Sequence, residues 1–408
     1  MKICIINHSD TLGGASVVSR RLMHALRDAG HDARMLVTRK VSDDEFVEQS
    51  ASRLRSRVPF LAEHLRIFAA NGFSRADLFK ASIATDGLPL SRHPLVREAD
   101  AVILNWVNQG MLSLGEIGRI ASAKPVIWTM HDMWNMTALC HHAGECTRYT
   151  EAGGCHDCPL LHGRASAHDL SHRTFMRKAR LYAGTRMTFV PVSTWLAAKC
   201  AAAPLMRGAA VEVIPNAFPV GDFYTEPRMA ALPGVPEGRK LILMGAARLD
   251  DPVKGLHYAV EALNGLRRDD AVAVFFGALR DASALDRLRF PHVHLGMIAD
   301  VAMLRELYAR ATVVMSTSLY ETLPGTLVEG QAAGCTPVAF DSGGQRDIID
   351  DGSTGYLVKP YDTAAFSAAL DKALDSPFDP SVLRAAVEER FSAEAVAARY
   401  LDLIASMR

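Results

Sequence analysis

Short apolar runs alternate with amphipathic segments along nearly the whole chain, and this alternation restricts the fold more than any other feature of the sequence. Apolar runs bounded by turn residues read as strands buried on both faces, and such strands need helical crossovers to lie parallel. Ile3 to Asn7 is the first. A glycine turn at Gly13-Gly14 follows, then a helix with Val18, Leu22 and Leu26 on one face, stopped near Gly30. Residues 33–37, 101–104, 125–129 and 189–192 read as further strands. A second series starts near residue 240 with strands at 241–244, 272–276, 313–315 and 336–340, and Pro337 puts the last at a strand start or a sheet edge. Residues 301–310 and 393–408 read as helices, the latter with Val396, Tyr400 and Leu403 in register.

At 408 residues the chain exceeds what one core usually organises, so two domains are expected. The crossing falls at Ile214-Pro215-Asn216-Ala217-Phe218-Pro219, and the Pro- and Gly-rich stretch to Pro236 reads as a linker. The expected architecture is α/β, two doubly wound Rossmann-like domains with a cleft between. Lys+Arg and Asp+Glu balance at 45 each, which excludes a nucleic-acid binder held by a basic surface. The apolar run at the N-terminus is too brief for a signal peptide, and nothing approaches a membrane-spanning run. A cytoplasmic protein is expected, its seven cysteines mostly reduced.

Ligands of such sheets bind beyond the carboxyl ends of the strands, where four clusters fall. Gly13, Gly14 and Ala15 open the first helix and read either as a plain turn or as backbone left bare for an anion. Arg248 and Lys254 follow the strand at 241–244 and suit a diphosphate, unless Asp250 and Asp251 simply pair with both. Each charge-assisted hydrogen bond contributes roughly 1.5–3 kcal/mol, against about 0.3–1 for a helix dipole, so the side chains should dominate. In Glu321-Thr322-Leu323-Pro324-Gly325-Thr326-Leu327-Val328-Glu329, Pro324 suits the first turn of a helix. Glu321 would lie before that helix and Glu329 inside it, with free N–H groups between them. One carboxylate would then meet a sugar and the other a ribose, or both are merely surface residues. His131-Asp132 ends the strand at 125–129, where the histidine reads as a sugar-hydroxyl donor or as an ordinary structural group.

In this order the clusters closely resemble the retaining family 4 glycosyltransferases, which have the GT-B fold. Residues 318–344, with Glu321 and Glu329 and then Gly334-Cys335-Thr336-Pro337-Val338, look like that family's signature. Arg248 and Lys254 match its diphosphate pair, Gly13-Gly14-Ala15 its glycine loop and Ile214-Pro215-Asn216 its crossing. Thr129-Met130-His131-Asp132-Met133-Trp134 resembles a branch that assembles colanic acid and other exopolysaccharides. That branch has a histidine where Asn105 stands, and Leu323-Pro324 replaces the broader family's phenylalanine–glycine.

The resemblance implies residues 1–217 as an acceptor-binding domain with a cysteine-rich insertion at 140–158. It implies 218–390 as a nucleotide-sugar domain and 391–408 as a helix returning to the first. It also implies transfer of a hexose, with retention and without a metal, from a nucleotide diphosphate sugar to a saccharide, polyprenyl-linked acceptor. His131, Glu321, Arg248 and Lys254 would be catalytic. Gly13, Gly14, Ala15, Asp132, Thr326, Leu327 and Glu329 would bind substrate. No Asp-x-Asp pattern is present, and no catalytic cofactor is expected. A nucleotide-sugar hydrolase or epimerase, or a binding regulator on the same fold, fits the same residues. A nicotinamide dehydrogenase lacks its GxGxxG fingerprint.

Two further segments carry chemistry of their own. Cys140, Cys146, Cys155 and Cys158 read as a structural zinc site or as free thiols in a folded loop. Arg53, Arg55, Arg57 and Arg66 alternate with Leu54, Val58, Phe60, Leu61, Leu65 and Phe68. They read as a helix packed on the first domain and interrupted at Pro59, or as a peripheral contact with an anionic membrane.

Overall fold

The computed structural model describes residues 1–407, which divide into two compact units at Ala217/Phe218. The first holds β1 (Lys2–Ser9), α1 (Gly14–Asp28), β2 (Asp32–Arg39), β3 (Val47–Gln49), α2 (Arg53–Ala70), α3 (Pro94–Glu98), β4 (Ala101–Leu104), α4 (Leu114–Ala123), β5 (Val126–Met130), α5 (Leu170–Ala183), β6 (Met187–Pro191), α6 (Thr194–Ala202) and β7 (Ala210–Val211). Its strands are all parallel in the order β3-β2-β1-β4-β5-β6-β7. Helices cover both faces, so β4 and β5 are buried along their whole length. This is why they read as continuous apolar runs with no alternation.

The second unit holds β8 (Lys240–Arg248), α7 (Leu256–Gly265), β9 (Ala271–Ala278), β10 (His292–His294), α8 (Val301–Arg310), β11 (Ala311–Ser316), α9 (Gly325–Ala332), β12 (Thr336–Phe340), β13 (Tyr356–Val358), α10 (Thr363–Asp375) and α11 (Pro380–Phe391). Its strands, again all parallel, run β10-β9-β8-β11-β12-β13. Strand order reverses at β1/β4 in one sheet and at β8/β11 in the other, and a crevice opens at such switch points.

The last helix, α12 (Ala393–Ser406), begins two residues later than the expected boundary at 391, and the chain rejoins the first unit from Val396 onward. Tyr400 is buried there, its hydroxyl 2.8 Å from Thr129 Oγ1. Arg408, included in the expected terminal helix, lies outside the described residues. No helix among the described residues is long and apolar enough to cross a membrane.

Three local expectations need correction. The stretch from Pro219 to Pro236 is cladding on the second unit, because Val220, Phe223 and Leu232 are buried in it. Arg384 ties it down by donating to Val220 O and Phe223 O, and Glu306 by accepting from Tyr224 and the Arg228 N–H. Pro337 is the second residue of an interior strand, tolerated because pairing with β13 starts only at Val338. Pro59 does not interrupt α2, which runs through it for 18 residues. A Cβ on Gly110 would come within 2.4 Å of Phe60 N, so the loop after β4 seats directly against the proline turn. The short edge strands β3, β7, β10 and β13, two or three residues each, were not foreseen.

Candidate active site

In the first unit the switch point is built from the ends of β1, β4 and β5. Asn7, buried near the end of β1, donates to Ser9 O (2.6 Å) and Ser16 Oγ (3.0 Å) and accepts from the Trp106 N–H (2.9 Å). One side chain thus ties the turn before α1 to the residue after β4. Gly13 takes φ 87° as the residue capping α1, no side chain caps that helix, and a Cβ at Gly13 or Gly14 would touch nothing. The first N–H groups of α1, including that of Ala15, are therefore reached by open space.

His131, just past β5, places Nε2 2.8 Å from Asn105 Oδ1. Asn105 is itself fixed, its N–H donating to Ile6 O and its carbonyl accepting from Trp128 Nε1. The contact between the amide and Nε2 fixes the orientation of the ring. Burial pushes His131 down to about 4, which keeps the ring neutral at pH 7. The residue that departs from the branch pattern is thus the one that orients the histidine.

Asp132 is committed to its own loop. It accepts from the Trp134 N–H (2.8 Å) and Trp106 Nε1 (3.2 Å), and pairs with His141 Nδ1 (2.7 Å). Burial pushes its carboxyl up, but the His141 imidazole and the Trp134 N–H outweigh that and hold it below the ordinary carboxylate range. Lys178 of α5 anchors the same loop from beneath. It is fully buried, donates to Trp134 O (2.6 Å) and Thr137 O (3.1 Å), and lies 3.2 Å above the Trp134 ring. The sequence reading missed Lys178, because an α5 lysine carries no local signal, and took His141 only as a residue interleaved with the cysteines.

Beyond this loop Cys140, Cys146, Cys155 and Cys158 are free thiols. Burial pushes Cys155 and Cys158 up to about 12, so both are neutral thiols as folded. Among the described residues no group of three or more His, Cys, Asp or Glu is placed to hold a metal ion.

In the second unit, β8 delivers Arg248 and the turn after it delivers Lys254. Arg248 lies 3.4 Å from Asp250 Oδ1 and 3.3 Å from Asp251 Oδ2. Lys254 pairs instead with Glu321, Nζ to Oε1 2.5 Å. Close backbone packing makes that convergence possible. Gly255 has φ 65°, and a Cβ on it would come within 2.2 Å of Thr317 O, while Thr317 Oγ1 donates to Gly255 O (3.0 Å). The Gly344 N–H donates to Glu321 O (2.9 Å), and a Cβ on Gly343 would come within 2.1 Å of that same oxygen.

Helix α9 starts at Gly325, so Pro324 is its capping residue and lies outside the first turn. No side chain caps it, which leaves the N–H groups of Gly325 and Thr326 available. The Leu327 N–H is taken by Pro324 O (3.1 Å), and Leu327 is buried. Glu329 lies in the second turn and accepts from Tyr308 Oη at 3.4 Å. The structure thus gathers Arg248, Lys254, Glu321 and the start of α9 around the β8/β11 switch point. His131 and the Gly13 turn form a separate group in the first unit.

Residues 230–391 match the family model of glycosyl transferases group 1. The phosphatidyl-myo-inositol mannosyltransferase of Mycobacterium leprae is 31% identical over 173 residues, 38% of this chain and 42% of that protein. The chain spans about two fifths of the length of the first curated relatives it matches. Among solved structures, a glycosyltransferase from Rickettsia africae superimposes with a TM-score of 0.66 at 16% identity, covering 99% of this chain and 98% of that one. Anabaena HepE in complex with UDP gives 0.61 at 16% identity over 100% of each chain. The fold is therefore that of the GT-B glycosyltransferases, and the group 1 match falls on the unit that carries Arg248, Lys254, Glu321 and Glu329.

Proposed function

We propose that the chain is a retaining, metal-independent glycosyltransferase that moves a hexose from a nucleotide diphosphate sugar to a lipid-linked saccharide. The setting is surface polysaccharide assembly, on the cytoplasmic side of a membrane. The convergence of Arg248, the Lys254–Glu321 pair and the uncapped start of α9 at one switch point carries this reading. The anomeric carbon–oxygen bond to the diphosphate would break, and two cations with free N–H groups would hold the negative charge that develops. Preorganised donors of this kind are each worth about 10²–10³ in rate. Glu321 would exchange Lys254 for a sugar hydroxyl as the donor enters, and Glu329 would meet the ribose. His131, neutral and oriented by Asn105, is the proposed partner of a second sugar hydroxyl. The UDP in HepE and the phospholipid in the name of the mannosyltransferase favour a uridine donor and a lipid acceptor.

Thermal shift against UDP-, GDP- and ADP-sugars tests the donor site. Ligand at 100 times its Kd should add about 2.7 kcal/mol of stability. A shift with one nucleotide that vanishes in Arg248→Ala/Lys254→Ala supports the reading, and a folded protein that responds to none sinks it. A structural zinc at Cys140, Cys146, Cys155 and Cys158 is a separate proposal resting on spacing alone. Elemental analysis giving one zinc per chain, lost in Cys155→Ser/Cys158→Ser, supports it, and a metal-free stable protein ends it.

A further inference from the structure

A cavity of about 650 Å³ opens in the first unit between the ends of β1 and β2 and the first turns of α2. Arg39, Lys40, Arg53 and Arg57 line it, and no carboxylate does. Among the described residues, the side chains of Arg39, Arg53 and Arg57 make no ion pair or hydrogen bond, while Lys40 donates to Asp44 O (2.8 Å). Two more lining groups are incomplete: His8 Nδ1 and Thr38 Oγ1 are buried with no hydrogen-bond partner. Native proteins rarely leave buried polar atoms unmatched, and here the residues that carry them line the same cavity as the unpaired cations. That combination suits an anion with several acceptor oxygens.

Helix α2 adds a second observation. Leu54, Val58, Leu61 and Leu65 are 75%, 62%, 61% and 65% exposed. Their spacing sets them on one stripe of the helix, next to the turn that carries Arg53 and Arg57 into the cavity. Phe73 and Phe79, just beyond the helix, are 68% and 62% exposed. The face that packs inward carries Pro59, Glu63, His64 and Ile67, so the apolar stripe is the side turned to solvent. An unpartnered apolar stripe flanked by arginines matches the interface of an anionic bilayer.

We propose that this cavity holds the phosphate or diphosphate of a lipid-linked molecule, whose hydrocarbon chain enters a membrane beside the α2 stripe. Cations and unmatched donors take the phosphate oxygens, and the stripe takes the lipid. The lipid's role as acceptor rests on the glycosyltransferase reading, whereas its binding does not.

The test is flotation of the full chain with phosphatidylcholine vesicles containing polyprenyl phosphate, against vesicles matched in surface charge with phosphatidylglycerol. The chain should prefer the polyprenyl phosphate vesicles. Arg53→Ser/Arg57→Ser should remove that preference, weakening binding about thirtyfold. Leu54→Ser/Leu61→Ser should weaken binding to both vesicle types alike. Equal binding to the two vesicles in wild type, or binding to neither, overturns the phosphate site. Full displacement by inorganic phosphate assigns the cavity to a free anion and overturns the lipid. Each variant is also tested for its nucleotide-sugar thermal shift. Wild type that shows no vesicle preference but keeps the nucleotide-sugar shift rejects the cavity alone, while a preference without any donor response rejects the glycosyltransferase reading alone.

Discussion

His131 and Asn105 form a pair in which position and protonation are fixed together. Asn105 holds the ring through Nε2, and burial lowers its pKa from the ordinary 6.5 to about 4. Between those values the unfolded chain binds a proton that the native state refuses, so stability is complete above pH 6.5 and falls as pH drops toward 4. The slope is about 1.4 kcal/mol per pH unit from this group. His131→Gln should flatten that part of the stability profile, read by urea unfolding at several pH values; an unchanged slope would mean that other groups carry it. At the donor site, the cations already have protein partners, Arg248 between two aspartates and Lys254 on Glu321. Glu321→Gln removes one of those partners and should leave nucleotide diphosphate binding equal or tighter. Sugar transfer in the same variant should drop about 10²–10³-fold if Glu321 meets the sugar in the transition state. Parallel binding and turnover assays separate the two effects.

At the scale of elements, the donor site depends on two loops approaching closer than side chains allow. Gly255 is both left-handed and pressed against Thr317 O, so Gly255→Ala should cost roughly 1–3 kcal/mol and disturb the Lys254–Glu321 pair. Lower Tm together with a weaker donor-induced shift is the expected result, and a variant with both unchanged would contradict the packing. These same elements show what was legible in the sequence. Arg248 and Lys254 stood out because they come at a strand end, and Glu321 and Glu329 because they bracket the start of a helix, where ligands of open α/β sheets bind. His8, one residue before the end of β1, was missed among the sequence candidates although it sits at a strand end of the same kind. The exposed face of α2 could not be assigned that way, since an apolar stripe at helical spacing ordinarily faces a core.

At the scale of the molecule, the chain leaves the first unit at Ala217 and rejoins it from Val396. Truncation after Ala395 removes buried Val396, Tyr400 and Ile404 from the first unit's core while the second keeps all of its strands. Large-to-small changes at single buried sites cost about 2–5 kcal/mol, and this deletion removes several such groups. The truncated chain should unfold at a distinctly lower temperature in calorimetry yet retain its nucleotide-sugar response, and loss of that response would show the second unit depending on α12. The sequence alone determined the two parallel α/β domains, the place of crossing and the residues at the strand ends. Those follow from local periodicity and turn chemistry, which neighbouring residues encode by themselves. Tertiary structure alone decided that Lys254 meets Glu321, that Asn105 orients His131, that Asp132 is taken up by Trp106 and His141, and that α2 turns its leucines outward. Each of these depends on residues far apart in the chain, brought together only when the sheets close and the helices settle on them.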